Sequence, residues 1–178
     1  MSAALLAGAQ AAAQKHVTPG GANQKASVEG CSGTWLFNGL LRVKVTRVTG
    51  AVEPFTGSPG TPGFEVKLQV RNGTHKDVSL SNLGVDGNGA GVKLVMSDDN
   101  ELRLDVGDFQ HAVFQSIPQG GQINATFHFY YPSGTTKVDA TPKKFLLQVN
   151  KAAGSLRDFG LHYPLSDPSF RVKLDCSK

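Results

Sequence analysis

The chain has 178 residues with a net charge of +4, and it contains 21 glycines, 9 prolines and only 18% charged residues. This length suits one domain, and 39% hydrophobic residues are enough for a sizeable core, which excludes wholesale disorder. No apolar run approaches the roughly 18 residues of a membrane-spanning helix, so no membrane span is expected.

The N-terminal region is expected to precede the fold. Residues 1–14 resemble the apolar core and small-residue cleavage region of a secretory signal peptide, although no basic segment precedes them. A chance alanine-rich helix is the alternative. Residues 15–30 are polar and glycine-rich, which predicts a flexible linker or arm. The folded module is then expected to span residues 31–178 of a secreted or periplasmic protein.

From Trp35 onward, apolar and polar residues alternate with a period of two, which indicates half-buried β-strands. Segments rich in glycine, proline, asparagine or aspartate separate the strands. Eight strands are predicted, at 41–46, 64–71, 78–80, 92–96, 102–106, 123–131, 145–149 and 170–174. No helix is expected in the fold beyond a short turn within 151–159.

One apolar and one polar face on each strand is typical of antiparallel sheets that pack on each other. The expected fold class is therefore all-β, an immunoglobulin-like (Ig-like) antiparallel β-sandwich of about eight strands with a flexible N-terminal arm. The single tryptophan, Trp35, is expected to cover a disulfide or to plug one end of the core. An exposed aromatic that binds a ligand is the alternative.

Two cysteines, Cys31 and Cys176, bracket the predicted module almost end to end. In an exported protein they would form one disulfide between the first and last strand regions. Two unrelated free thiols, as in a cytosolic protein, are the alternative. Without clustered histidines these cysteines do not make a zinc site.

Three segments carry a family resemblance. Residues 63–72 resemble a strand that ends in an asparagine-led turn, residues 117–132 resemble a proline-glycine turn followed by an aromatic strand, and residues 145–149 resemble the next strand. Together they resemble secreted bacterial Ig-like domains of unknown function over residues 37–149. The resemblance implies a binding or accessory module rather than an enzyme.

The motifs point away from catalysis. The five histidines are far apart in sequence, and no G-x-S-x-G elbow is present. The carboxylate pairs Asp98–Asp99 and Asp105–Asp108 are interpreted as turn caps. Neither enzyme activity nor a cofactor is expected.

One zone is rich in oxygen ligands of the kind that Ca²⁺ prefers. Its weak calcium candidates are Asp86, Asn88, Asp98 and Asp99. Ordinary turn chemistry explains the same residues, and no EF-hand spacing is present.

The basic residues are distributed along the chain, as in Lys44 with Arg47 and Lys67 with Arg71. We interpret them as solubilising charges on the outer faces of strands, and no nucleic-acid partner is expected. A weak attraction to anionic surfaces is the alternative.

Two functions fit these features. The first is a non-catalytic exported module that contacts another protein or a cell-envelope component. The second is a structural subunit of an extracellular filament or surface assembly. In that case residues 15–30 would be donated to the sheet edge of a neighbouring copy.

Overall fold

A computed structural model describes residues 28–50, 61–135 and 138–176. Nine strands and two helices lie within these ranges. In chain order they are β1 (Val28–Cys31), β2 (Leu36–Phe37), β3 (Leu41–Gly50), β4 (Gly63–Asn72), β5 (Val92–Met96), β6 (Glu101–Leu104), α1 (Val106–Phe114), β7 (Gln122–Tyr130), β8 (Pro142–Leu147), α2 (Gly154–Asp158) and β9 (Phe170–Lys173). The predicted signal peptide and residues 15–27 of the predicted arm lie outside the described residues.

Two sheets joined by β6 form the predicted β-sandwich. Sheet 1 has the strand order β1-β9-β8-β5, and sheet 2 has the order β7-β4-β3-β2. In β6, Leu102 pairs with Leu94 of sheet 1, and Leu104 pairs with Phe129 of sheet 2. The strand therefore turns a corner between the sheets, as in sandwiches whose strands switch sheets.

Buried aromatic rings hold the two sheets together. The ring centroid of Phe145 on sheet 1 lies 6.2 Å from those of Phe127 and Phe129 on sheet 2. Phe109 of α1 contacts Phe127 edge-on at 5.1 Å. All four side chains are fully buried. Each contributes roughly 1.5–3 kcal/mol through its buried area, so this cluster is a main source of stability.

The alternation predicts most strands correctly, and β4 shows why. Val66, Leu68 and Val70 are at most 1% exposed, whereas Lys67 and Arg71 between and after them lie on the outer face. In an extended chain, successive side chains point to opposite faces. The residues that build the core therefore also decide which residues reach the surface.

Helix α1 contradicts the expectation that no helix lies in this region. The predicted strand 102–106 stops at Leu104, because the Asp105 carboxylate accepts a hydrogen bond from the Gly107 N–H at 2.9 Å and caps the helix. The buried residues Phe109 and Val113 are spaced by one helical turn. Helix α2 lies within the predicted turn at 151–159. Among the described residues, neither helix has the length and apolarity to cross a membrane.

Other predictions were wrong in detail. Strand β1 begins at Val28, inside the predicted arm, and it pairs parallel with β9, although only antiparallel pairs were expected. Its residues Val28–Gly30 therefore belong to the chain's own sheet and are not free for donation to a neighbour. The predicted strand 78–80 is reduced to one bridge between Val78 and Ile117, because a turn follows at once.

The structure contains a disulfide between Cys31 and Cys176, which are 145 residues apart. Strand β1 is an edge strand, held to β9 by backbone hydrogen bonds such as Ser32 N–H to Lys173 O at 2.8 Å. A cross-link that closes so long a loop restricts the unfolded chain strongly. The disulfide thus joins the end of β1 to the segment that follows β9.

Buried polar side chains organise the loops at one end of the sandwich. The Asn72 amide donates to the carbonyl oxygens of Lys76, Ile117 and Pro118 at 2.7–3.1 Å. The Tyr163 hydroxyl donates to Leu83 O at 2.8 Å. Because unpaired polar groups are costly when buried, these bonds fix the loop conformations.

Replacing both Cys31 and Cys176 with serine should lower the free energy of unfolding by about 3 kcal/mol, because the unfolded chain gains loop entropy. Urea denaturation of the oxidised parent, the reduced parent and the double variant measures this loss. The reduced parent serves as the control and should match the variant. Equal stability of all three proteins would contradict the prediction.

Burial raises the pKa of Tyr163 far above its usual 10.0. The phenol stays neutral in the folded protein but ionises in the unfolded chain above about pH 10, so stability should fall as the pH rises beyond that value. Tyr163→Phe should cost about 1 kcal/mol at pH 7, since Leu83 O loses its donor, and should show a shallower alkaline loss. An equally steep loss in both proteins, measured by urea denaturation between about pH 7 and 11, would disprove this assignment.

Candidate functional site

The outer face of sheet 2 carries five cationic side chains on adjacent strands. We call this set the basic face: Arg42, Lys44, Arg47, Lys67 and Arg71. Among the outward residues of β2, β3, β4 and β7 there is one carboxylate, that of Glu65. Charges that are spread along the sequence are thus gathered by strand pairing.

Two cation pairs lie directly opposite each other within this face. Arg42 is paired with Arg71, and Arg47 is paired with Lys67, with Lys44 and a glutamine between the two pairs. Side chains in such positions have Cβ atoms only about 5 Å apart, and like charges there are destabilising. The two opposed cation pairs therefore destabilise sheet 2.

The cations have few anionic partners. Lys67 Nζ lies 3.2 Å from Glu65 Oε1. No described carboxylate forms an ion pair with Arg42, Lys44, Arg47 or Arg71. Within the part of the chain that the structure describes, these four cations therefore have no anionic partner.

Two aromatic rings lie against these cations. The Arg42 guanidinium is 4.3 Å from the ring centroid of Phe37, while Lys44 and Arg71 are 4.8 and 5.2 Å from that of Trp35. Each cation–π contact contributes roughly 0.5–1 kcal/mol at an exposed site. The prediction that Trp35 plugs the core was wrong, because this side chain lies partly exposed on the outer face.

At the end of the basic face that carries Glu65, one histidine lies between two carboxylates. His128 Nδ1 lies 2.7 Å from Asp108 Oδ2, and its Nε2 lies 3.5 Å from Glu65 Oε2. Because Asp108 belongs to α1 and His128 to β7, these contacts tie the helix to sheet 2. The Asp105–Asp108 pair thus serves as a helix cap and a tether.

The outer face of sheet 1 differs in its charge balance. Lys144 and Lys173 are also directly opposed there. These two lysines line a depression of 260 Å³ on this face. However, the carboxylates of Glu29 and Asp167 line it as well. Arg171 lies 3.7 Å from Glu29. Mixed charge on sheet 1 contrasts with nearly uniform positive charge on sheet 2.

The calcium candidates do not come together. Asp86 and Asn88 precede β5, whereas Asp98 and Asp99 follow it, so the two pairs lie at opposite ends of that strand. The Asp86 carboxylate accepts from Asn88 N–H at 2.7 Å, and the Asp99 carboxylate is 3.1 Å from Lys143 Nζ. Turn chemistry and an ion pair account for these side chains.

A depression of 450 Å³ lies beside the loop that follows β4. Two histidines that are distant in the sequence, His75 and His162, line it. Within the described ranges, no group of three or more histidine, cysteine or acidic side chains is placed to hold a metal ion. The two histidines therefore line one depression, and no described side chain joins them as a third ligand.

Sequence reasoning identified the cations but not their assembly. Lys44, Lys67 and Arg71 each occupy the polar phase of a predicted strand, which places them on an outer face. Which strands are neighbours is a tertiary property, so their common location was missed. The only sequence signal was that β3 and β4 are consecutive, since sequential strands are often neighbours in space.

No family model matches the sequence, and no curated protein is significantly similar to it. Solved structures are similar in fold. The yjhA protein from Bacillus subtilis is 14% identical with a TM-score of 0.52, and the match covers 82% of this chain and 99% of that one. At this identity the likeness shows a shared fold alone.

Two further solved structures resemble the chain less well. An uncharacterized β-sandwich protein from Clostridium difficile 630 is 10% identical, covers 88% of this chain and 99% of its own, and has a TM-score of 0.49. A secreted protein from Mycobacterium tuberculosis, MPT63, is 16% identical, with 83% and 98% covered and a TM-score of 0.48.

Arg47→Thr should stabilise the protein by roughly 0.5 kcal/mol, because it removes one of two directly opposed cations and introduces a good strand former. The gain should shrink at high salt, which screens exposed charges. Lys144→Thr relieves the corresponding opposed pair on sheet 1, so the same argument predicts a similar salt-dependent gain there. Thermal denaturation at low and high salt checks the effect. A loss of stability at low salt would refute it.

Proposed function

We propose that the chain is a non-catalytic, exported Ig-like module that binds an anionic component of the cell envelope, or an acidic protein surface, through the basic face. The observation that carries this proposal is the double pair of opposed cations, Arg42 with Arg71 and Arg47 with Lys67. The proposal assigns the repulsion within these pairs to a binding role.

An outer sheet face needs polar side chains, but it does not need charged ones. Any polar side chain keeps such a face in contact with water, and Gln69, Asn124 and Thr126 do so on the same sheet without repulsion. A bound anion would remove the repulsion between the opposed cations, so part of the destabilisation would be recovered on binding. Residue choices that destabilise a sheet locally, such as directly opposed like charges, are expected at functional sites.

The pairing of the two cysteines in a disulfide supports the proposal that the protein is exported. A disulfide between Cys31 and Cys176 persists in oxidising compartments, whereas thiols in the cytosol are kept reduced. The signal-like composition of residues 1–14 points in the same direction. Cell fractionation that finds the native protein in the cytosol with free thiols would oppose this part of the proposal.

The absence of catalysis is proposed because the reactive side chains have structural partners. Asp105 caps α1, and Asp108 and Glu65 flank His128. These contacts account for the carboxylates and the histidine nearest to the basic face without assigning them a chemical step.

Elution from heparin–agarose with a salt gradient tests the anion-binding role. The double variant Arg42→Thr/Arg47→Thr should elute at clearly lower salt than the parent, because two cations that have no ion pair with a described carboxylate are removed from one face. The control Lys144→Thr/Lys173→Thr has the same net charge but alters sheet 1, and it should elute close to the parent.

Equal shifts for both double variants would mean that net charge alone controls retention, and the proposed role of the basic face would be wrong. Thermal denaturation of each variant in the same buffer excludes unfolding as the cause of any shift.

A further inference from the structure

We infer that the partner of the basic face is the surface of an anionic lipid bilayer, on which sheet 2 lies with its outer face down. This inference rests on the proposed function and names the class of partner. It depends on two features of the face: the arrangement of its cations in two dimensions, and the exposed aromatic ring at its edge.

The cations form a patch rather than a row. Along β3, Arg42 and Lys44 are two positions apart, or about 7 Å, and the partner strand β4 lies about 5 Å to the side. Lys67 and Arg71 on β4 point to the same side of the sheet as the cations of β3. A bilayer presents anionic headgroups over a plane and therefore faces all of these cations at once.

Phe37 distinguishes a lipid surface from a soluble polyanion. This ring is 42% exposed and lies beside the Arg42 guanidinium, 4.3 Å from ring centroid to cation. At a membrane interface the ring can enter the apolar boundary while the guanidinium contacts lipid phosphate. A dissolved anionic polymer offers no apolar phase, so it would gain nothing from this ring.

Trp35 has a different role at the same edge. Its ring lies against Lys44 and Arg71, so we assign it to positioning these two cations on the outer face. The far end of the face carries Glu65, with His128 and Lys67 as its partners. Positive charge is therefore concentrated toward the end with Phe37, and that end would approach the bilayer first.

Co-sedimentation with phospholipid vesicles tests the inference on the disulfide-bonded chain. The protein should bind vesicles in which about a third of the lipid is phosphatidylglycerol, should not bind pure phosphatidylcholine, and should be released by salt. Arg42→Gln/Arg71→Gln should weaken the partition coefficient roughly 25-fold, because each cation near an anionic surface contributes about fivefold. Lys144→Gln/Lys173→Gln is the control for net charge.

Phe37→Ser supplies the decisive comparison. It should weaken vesicle binding several-fold but shift elution from heparin–agarose much less, since Arg42 keeps its charge and only the lipid offers an apolar phase for the ring. Phe114→Ser is the matched control, because Phe114 is 58% exposed but lies at the C-terminal end of α1. It should bind vesicles as the parent does.

The possible failures are distinguishable. Heparin binding that depends on the basic face, without vesicle binding, would overturn the lipid inference and leave the proposed function standing. Vesicle binding that Phe37→Ser and Arg42→Gln/Arg71→Gln do not change would also overturn the inference. Failure to bind either probe would remove the proposed function as well.

Discussion

The period of two along each strand is the constraint on which the other features depend. In an extended chain every second side chain points to the same face, so the residues that build the core also determine the surface. In β4, Val66 and Leu68 enter the core and thereby direct Lys67 outward. A slip of one residue would exchange the two faces. The apolar core therefore keeps the basic face in register.

A β-bulge in β3 keeps the cations on the outer face where the alternation of apolar and polar residues is interrupted. Strict alternation after Val45 would turn Arg47 inward, because two polar residues stand between Val45 and Val48. The register shifts between Val45 and Arg47, which leaves Thr46 as the extra residue and places Arg47 opposite Lys67. One inserted residue thus prevents a buried charge and creates the second pair of opposed cations.

Stability and the proposed binding role make different demands on sheet 2. The buried rings of Phe127 and Phe129 join this sheet to sheet 1, while the opposed cations on its outer side repel each other. Cation–π contacts with Trp35 and Phe37 offset part of the repulsion and hold the cations at the surface. The fold can tolerate this local cost because the core and the Cys31–Cys176 disulfide stabilise the sandwich independently.

Local pattern was sufficient for most strands, the sandwich class and the outward positions of Lys44, Lys67 and Arg71, because alternation is a property of neighbouring residues. It was insufficient for α1, whose start depends on the capping bond of Asp105, and for β1, whose parallel pairing depends on a strand at the other end of the chain. The basic face likewise required the tertiary structure. Lys44 and Arg71 come together only because β3 and β4 pair in one register, and that register is selected by the packing of the whole core.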